Sequence, residues 1–105
     1  MIDIDARCVI FNILLFHESV KLSQLSVFAD TFKQKVNNSY INITDDAVFD
    51  IIEKYSGTVI LEKDIISRGK TFGLFANRDF IDRTLNREFS HEICEHLYNS
   101  AKEIK

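Results

Sequence analysis

The chain contains no proline, no tryptophan and only three glycines. Proline and glycine are the residues that most often end helices and set tight turns, so their scarcity predicts a mostly helical chain. Long apolar runs are also missing: the run Val9–Phe16 contains Asn12 and is far shorter than the ~20 residues that a membrane-spanning helix needs. We therefore expect no membrane segment.

Cysteine is scarce as well, with only Cys8 and Cys94 present. Both lie in apolar helical patterns far apart in the chain, which favours buried free thiols over the alternative, a disulfide between them. Asp3 and Asp5 stand where a signal peptide needs positive charge. These features favour a reducing compartment, so we expect a nuclear or cytoplasmic protein.

The 105 residues include 46% hydrophobic residues, enough for one domain with a single core. Acidic residues outnumber basic ones by 16 to 13, which gives a formal net charge of −3. An acidic chain gains little from a phosphate backbone, so the totals argue against non-specific DNA binding. They leave a local basic patch open.

Apolar periodicity predicts three helices in the first half, over Ile4–His17, Ser23–Val36 and Thr44–Gly57. The first is apolar on more than one side. In the third, Thr44 is an N-cap and the first-turn aspartates suit the positive end of the helix dipole. Its apolar residues occupy one face: Ala47, Val48, Ile51, Ile52 and Tyr55.

Ser19–Leu22 alternates as a short strand, and Asn37–Ile43 is predicted as a loop. Thr58–Leu61 and Thr71–Ala76 are predicted to pair as a hairpin, with the turn near Gly69. A last helix begins at Arg78. Unbroken to the C terminus it would be about 40 Å long, too long for a small domain to cover. Either it breaks near Asn86–Ser90 or its far half packs on something else.

This order predicts an α+β fold, mostly α, of the winged-helix type: the second and third helices form the helix-turn-helix and the hairpin is the wing. The single domain 1–105 divides into a core and wing, 4–76, and a C-terminal helix, 77–104. The alternative is a four-helix bundle with the hairpin as a loop. The predicted core is Val9, Ile13, Phe16, Leu25, Phe28, Phe32, Val48, Ile51, Ile52, Val59 and Leu74.

A family resemblance follows the same core pattern. The matching residues, in chain order, are Leu22, Leu25, Phe28, Ile43, Asp45, Asp50, Ile51 and Ile60. Over most of its length the chain resembles the winged-helix modules in the C-terminal half of a peripheral subunit of eukaryotic RNA polymerase III. The resemblance implies a module of a larger nuclear assembly concerned with transcription, and it carries over no catalytic residue.

The exposed face of the third helix is acidic. Asp46, Asp50 and Glu53 lie there with Lys54 as the only cation, whereas a DNA-reading helix needs basic and amide side chains. We therefore expect a protein partner. The alternative is weak nucleic-acid binding through the wing and last helix, with Phe72 or Phe75 stacking on single-stranded RNA. The cations available for it are Lys63, Arg68, Lys70, Arg78, Arg83 and Arg87, interleaved with carboxylates.

The apolar excess of the first and last helices suggests an interface with a partner or a second copy. The candidate interface residues are Phe11, Leu15, Ile93, Leu97, Ala101 and Ile104. The alternative is that these two helices pack on each other within one chain. A homodimerisation domain is therefore a further functional alternative.

No catalytic or cofactor motif is complete. The stretch His91–His96 lacks the i, i+4 histidine pair of a zincin, because Glu95 occupies the second position. Gly69-Lys70-Thr71 resembles the end of a phosphate loop, but Asp64 stands where its first glycine belongs. We expect no enzyme, cofactor or metal, and predict a non-catalytic protein-interaction module of a transcription or RNA-processing assembly.

Overall fold

The computed structural model describes residues 1–105 and has an α+β architecture in which helices dominate. Helix α1, Ala6–Phe16, runs through the centre, and eight of its 11 residues are buried. The Asp5 carboxylate caps it by accepting a hydrogen bond from the Cys8 amide at 3.1 Å. The predicted helix start at Ile4 is too early, because strand β1, Ile2–Ile4, precedes the cap.

Strand β1 pairs in parallel with β3, Ser39–Ile41, so part of the predicted 37–43 loop is a strand. Between them in sequence lies helix α2, Leu22–Lys35, whose N-cap is Lys21 rather than the predicted Ser23. Helix α3, Asp45–Lys54, is confirmed with its predicted cap: Thr44 Oγ1 accepts from the Ala47 amide at 3.3 Å.

The second sheet is antiparallel, with β5, Ile65–Arg68, between β2, Ser19–Lys21, and β4, Val59–Glu62. The predicted strands near 19 and 58 are therefore confirmed, whereas the predicted partner strand Thr71–Ala76 is wrong. The hairpin turns earlier because Lys63 adopts a left-handed conformation with φ 60°. Residues Phe72–Phe75 form a short helix, α4, which leaves Leu74 84% exposed instead of in the core.

Gly69 explains why the chain leaves the sheet where it does. Its amide donates to Thr58 O at 2.8 Å, and the Thr71 amide donates to Gly57 O at 3.2 Å. A Cβ atom on Gly69 would lie 2.0 Å from Gly57 O. The segment after the hairpin is thus folded against residues 57–58, and only glycine fits at this approach.

Of the two alternatives for the C-terminal segment 77–104, the break near 86–90 is confirmed and the single long helix is excluded. Helix α5, Arg78–Phe80, continues as a π-helical turn, Ile81–Leu85, and helix α6, His91–Lys102, starts afresh. The π-helical turn ends at Asn86, whose backbone amide donates to Ile81 O at 2.9 Å. Helix α6 is capped by Ser90, whose Oγ accepts from the Ile93 amide at 3.3 Å. Helix α6 packs along α1, where His17 Nε2 lies 2.8 Å from Ala101 O.

Buried residues from every helix except α5 form one continuous core around α1. Most of the predicted core is buried; the exceptions besides Leu74 are Phe16 and Ile52, which are half-buried. The confirmed core residues are Val9, Ile13, Leu25, Phe28, Phe32, Val48, Ile51 and Val59. None of the helices combines the length and the apolar character needed to cross a bilayer.

Candidate functional site

Helix α3 presents a broad exposed surface, because only Val48 and Ile51 among its ten residues are buried. The exposed residues occupy the half of the helix that faces away from the core. We call this surface the acidic face, and it consists of Asp45, Asp46, Phe49, Asp50, Glu53 and Lys54. The predicted exposure of Asp46, Asp50 and Glu53 is thus confirmed.

The acidic face consists of two parallel rows, because residues four apart in a helix are neighbours. One row is Asp46, Asp50 and Lys54, in which the Lys54 ammonium pairs with the Asp50 carboxylate at 3.2 Å. The other row is Asp45, Phe49 and Glu53, which we call the Phe49 row. Neither carboxylate of the Phe49 row has an ion-pair partner within the chain.

The acidic face accounts for the charge of the whole protein. Its four carboxylates and one ammonium group give a net charge of −3, equal to the formal charge of the entire chain. The charges elsewhere therefore balance one another. A face with this excess attracts cationic groups and repels phosphates.

Phe49 is a half-exposed aromatic residue within this charge, with 50% of its surface accessible. Its ring stacks on no other aromatic ring, although aromatic pairs are common elsewhere in the molecule. A phenyl ring left in water on an otherwise charged helix face offers contact area to a partner.

An open groove of about 780 Å³ separates the acidic face from the start of α1. The Arg7 guanidinium bridges its floor, donating to Tyr55 Oη at 3.1 Å and pairing with Asp5 at 3.4 Å. The hydrogen bond to Tyr55, together with the nearby Asp5 charge, raises the pKa of Arg7 above its ordinary value. Arg7 is therefore a fixed cation that holds α3 against α1.

The six cations predicted for nucleic-acid contact do not act alike. Arg68 donates to Leu14 O at 2.7 Å, which anchors β5 to the end of α1. Arg78 pairs with Asp82 at 3.3 Å and Arg83 with Asp79 at 2.8 Å. The remaining cations are exposed and have no ion pair: Lys63, Lys70 and Arg87. Half of the predicted basic surface is thus neutralised or tied to the backbone.

The predicted partner interface is mostly inside the monomer. Phe11 is fully buried against Tyr55 and Phe72, with ring centroids 5.2 and 6.1 Å away. Leu97, Ala101 and Ile104 are also buried, and Leu15 and Ile93 are half-buried. The apolar excess of the first and last helices is therefore covered by their own packing, so these residues form no exposed docking surface.

The two aromatic residues considered for base stacking lie in one cluster. Phe72 is buried, whereas Phe75 is 47% exposed and packs on Phe80 with ring centroids 4.9 Å apart. Phe75 also lies 6.1 Å from Tyr55. The Phe75 ring is thus already packed against two aromatic neighbours.

The side chains discussed for metal or thiol chemistry lie apart from one another. His91 and His96 each approach a glutamate one turn away, at 4.0 and 3.9 Å, and no set of three potential ligands converges. Both cysteines are free thiols, as predicted; Cys8 is buried and Cys94 half-buried. Burial raises the pKa of Cys8 to about 12, so it is a poor nucleophile at neutral pH.

Two features of the structure were not predicted from the periodicity of the sequence. One is Phe49, although its helical phase already placed it among the exposed residues. The other is a buried amide pair: Asn12 and Asn86 donate to each other's side-chain oxygens at 3.3 Å, and Asn86 also donates to Tyr98 Oη at 3.4 Å. A single asparagine within the apolar pattern of α1 was the only available signal for this pair.

No protein-family model, curated protein or solved structure significantly matches this chain. The resemblance to RNA polymerase III winged-helix modules therefore stays a prediction.

Proposed function

We propose that this chain is a non-catalytic winged-helix module that binds a protein partner through the acidic face of α3. The order α1, β2, α2, α3 and the β4–β5 hairpin supports the fold, with β5 paired to β2. The chain adds a two-stranded sheet to this order, with β1 before α1 and β3 between α2 and α3. In winged helices the third helix is the one that enters the major groove. Here the corresponding surface is carboxylate-rich, and this single observation carries the proposal.

The proposal places the module in a nucleic-acid-handling assembly, on the strength of the helix order and of the polymerase-subunit resemblance. A winged helix whose third helix repels phosphates can still serve such an assembly by holding another protein. The exposed cations Lys63, Lys70 and Arg87 leave weak nucleic-acid contact as the competing function.

A titration of the purified protein against labelled duplex DNA and single-stranded RNA, at low and moderate salt, separates the two functions. We expect no binding tighter than about 1 µM, because few phosphates can be neutralised. Tighter binding with a steep salt dependence would replace our proposal with the nucleic-acid one. In that case Lys63→Gln with Lys70→Gln should abolish the binding.

A second experiment tests the protein partner directly. The immobilised protein is exposed to nuclease-treated cell extract, in parallel with the charge-reversed variant Asp46→Lys/Asp50→Lys. A matched control, Asp30→Lys/Glu62→Lys, reverses two exposed carboxylates outside α3. We expect some extract proteins to bind the wild type and the control variant but not the α3 variant. Identical retention by all three proteins would exclude the acidic face as the binding surface.

A further inference from the structure

The Phe49 row places a half-exposed phenyl ring between two carboxylates that have no ion-pair partner. Asp45 and Glu53 each lie four residues from Phe49, which is about one helical turn on either side. An aromatic ring attracts a cation over its face, and carboxylates beside the ring add charge to the same position. The row therefore combines two features that favour the same kind of ligand.

We propose that the Phe49 row binds an arginine side chain of a partner protein, with the guanidinium over the Phe49 ring and paired with Asp45 or Glu53. This inference rests on the proposed function, since it names the chemistry of the partner at the same face. Arginine fits better than lysine because its planar guanidinium stacks on a ring and forms a two-pronged pair with a carboxylate.

The chain contains this arrangement once already, built from its own residues. The Arg78 guanidinium lies 4.2 Å from the centre of the Tyr98 ring and pairs with Asp82 at 3.3 Å. That site combines an aromatic ring, a carboxylate and an arginine. The Phe49 row has the ring and the carboxylates, and the arginine is the component that a partner would add.

A second copy of this chain is a poor source of that arginine. Four of the five arginines already have a partner within the chain: Arg7 with Tyr55, Arg68 with the end of α1, Arg78 with Asp82 and, on the surface, Arg83 with Asp79. Only Arg87 is exposed without a partner. The charge of the acidic face also makes two copies repel when these faces meet. The geometry therefore points to an arginine-rich segment of a different protein.

Fluorescence anisotropy with three labelled peptides tests the inference. The peptides share an alanine-based helical sequence and carry arginine, lysine or glutamate on one face. We expect the arginine peptide to bind several-fold more tightly than the lysine peptide and the glutamate peptide not to bind. Amide shifts in NMR spectra of the labelled protein should change along Asp45–Glu53. Equal affinity for arginine and lysine, or shifts confined to another element, would overturn the inference.

Two substitutions separate the ring from ordinary apolar contact. Phe49→Leu keeps an apolar side chain but removes the aromatic face. It should lower the affinity for the arginine peptide by roughly 2- to 10-fold. Leu74→Ala changes another exposed apolar residue and should leave binding unchanged. If Phe49→Leu binds as the wild type does, cation recognition by the ring is excluded.

Two double variants test whether the carboxylates of the Phe49 row contribute to binding. Asp45→Asn/Glu53→Gln removes both carboxylates of the Phe49 row, and Asp30→Asn/Glu62→Gln removes two carboxylates elsewhere. Only the first should lose the preference for arginine. If extract proteins still require the acidic face while the peptides show no arginine preference, the protein-interaction function stands and this inference fails. If the extract proteins do not require the acidic face and the peptides show no arginine preference, the proposed function and this inference both fail.

A rise of molar mass with protein concentration that disappears in Arg87→Gln would identify a second copy as the occupant. That result would overturn the assignment to a different protein. We expect a constant monomer mass, measured by light scattering.

Discussion

Helices α1 and α3 are nearly the same length, are each capped by a side-chain oxygen and lie against each other, yet they are covered very differently. In α1 eight of 11 residues are buried, and in α3 two of ten. Helix α1 is enclosed by α2, α3, α6 and the sheet, whereas α3 has neighbours on one side only. The difference in burial therefore comes from the number of neighbouring elements and not from the length or the capping of the two helices.

This contrast separates stability from recognition. Each large side chain buried in α1 contributes about 1.5–3 kcal/mol, so changes there act on the folded state as a whole. The outer half of α3 consists of exposed residues, so changes there remove little buried surface and act on what the surface attracts. Five substitutions, taken from the largest expected effect to the smallest, test whether the separation holds.

Phe11→Ala should destabilise the protein most, by about 3–5 kcal/mol, because Phe11 is fully buried and the cavity cannot collapse among rings fixed on three sides. Urea unfolding followed by circular dichroism measures the loss. A loss near 1 kcal/mol would mean that α1 is not the stabilising centre.

Asn86→Leu should cost about 1–3 kcal/mol, since it leaves the buried Asn12 amide without its partner across the core. The double variant Asn12→Leu/Asn86→Leu removes both polar groups and should recover part of the loss. If the double variant is less stable than the sum of the two single changes, the amide pair does not explain the cost.

Cys8 makes stability depend on alkaline pH. Its folded-state pKa of about 12 lies above the ordinary value of 9.0, so between these values the unfolded thiol ionises while the folded one stays protonated. Stability should therefore fall from about pH 9 upward, by roughly 1 kcal/mol per pH unit from this group. The difference in unfolding free energy between wild type and Cys8→Ala should narrow over that range. If the difference in unfolding free energy stays constant over that range, folding does not raise the pKa of the Cys8 thiol.

Thr44→Ala removes the oxygen that accepts from the Ala47 amide, and it should cost about 1 kcal/mol. Thr84→Ala, an exposed threonine with no hydrogen-bond role at a helix start, is the control and should change stability little. Equal effects of the two substitutions would argue against a working cap.

Phe49→Ala should change the free energy of unfolding by no more than about 0.5 kcal/mol, because half of the Phe49 surface is accessible and its ring packs on no other aromatic residue. The same variant should lose most of its affinity for the arginine peptide. Loss of stability comparable to that of Phe11→Ala would mean that Phe49 belongs to the core, and the contrast between the helices would fail.

The approximate courses of α1, α2 and α3, and the acidic face, followed from local signals. The cap at Thr44, the phase of Val48 and Ile51, and the exposure of Asp46 and Asp50 all depend on residues within a few positions of one another. Such signals are readable because helix geometry is local. Phe49 was readable in the same way, from its phase.

The strands were harder to predict for a physical reason. Ile65–Arg68 does not alternate apolar and polar residues, so the pattern favoured Thr71–Ala76 as the partner strand. The turn is instead set by Lys63, in a left-handed conformation that lysine does not favour. Strand β1 has three residues, too few for a period, and its partner lies more than thirty positions away. The buried Asn12–Asn86 pair is equally non-local, since its members are 74 positions apart.

The packing of α6 along α1 also constrains when the protein can fold. The ribosome makes α1 first, but Ala101 and Ile104 are buried parts of the same core and are among the last of these residues to be made. Until they leave the exit tunnel, one side of α1 has no cover and its apolar surface faces water or a chaperone. Folding of this domain is therefore expected to finish only after synthesis of α6, in one cooperative step.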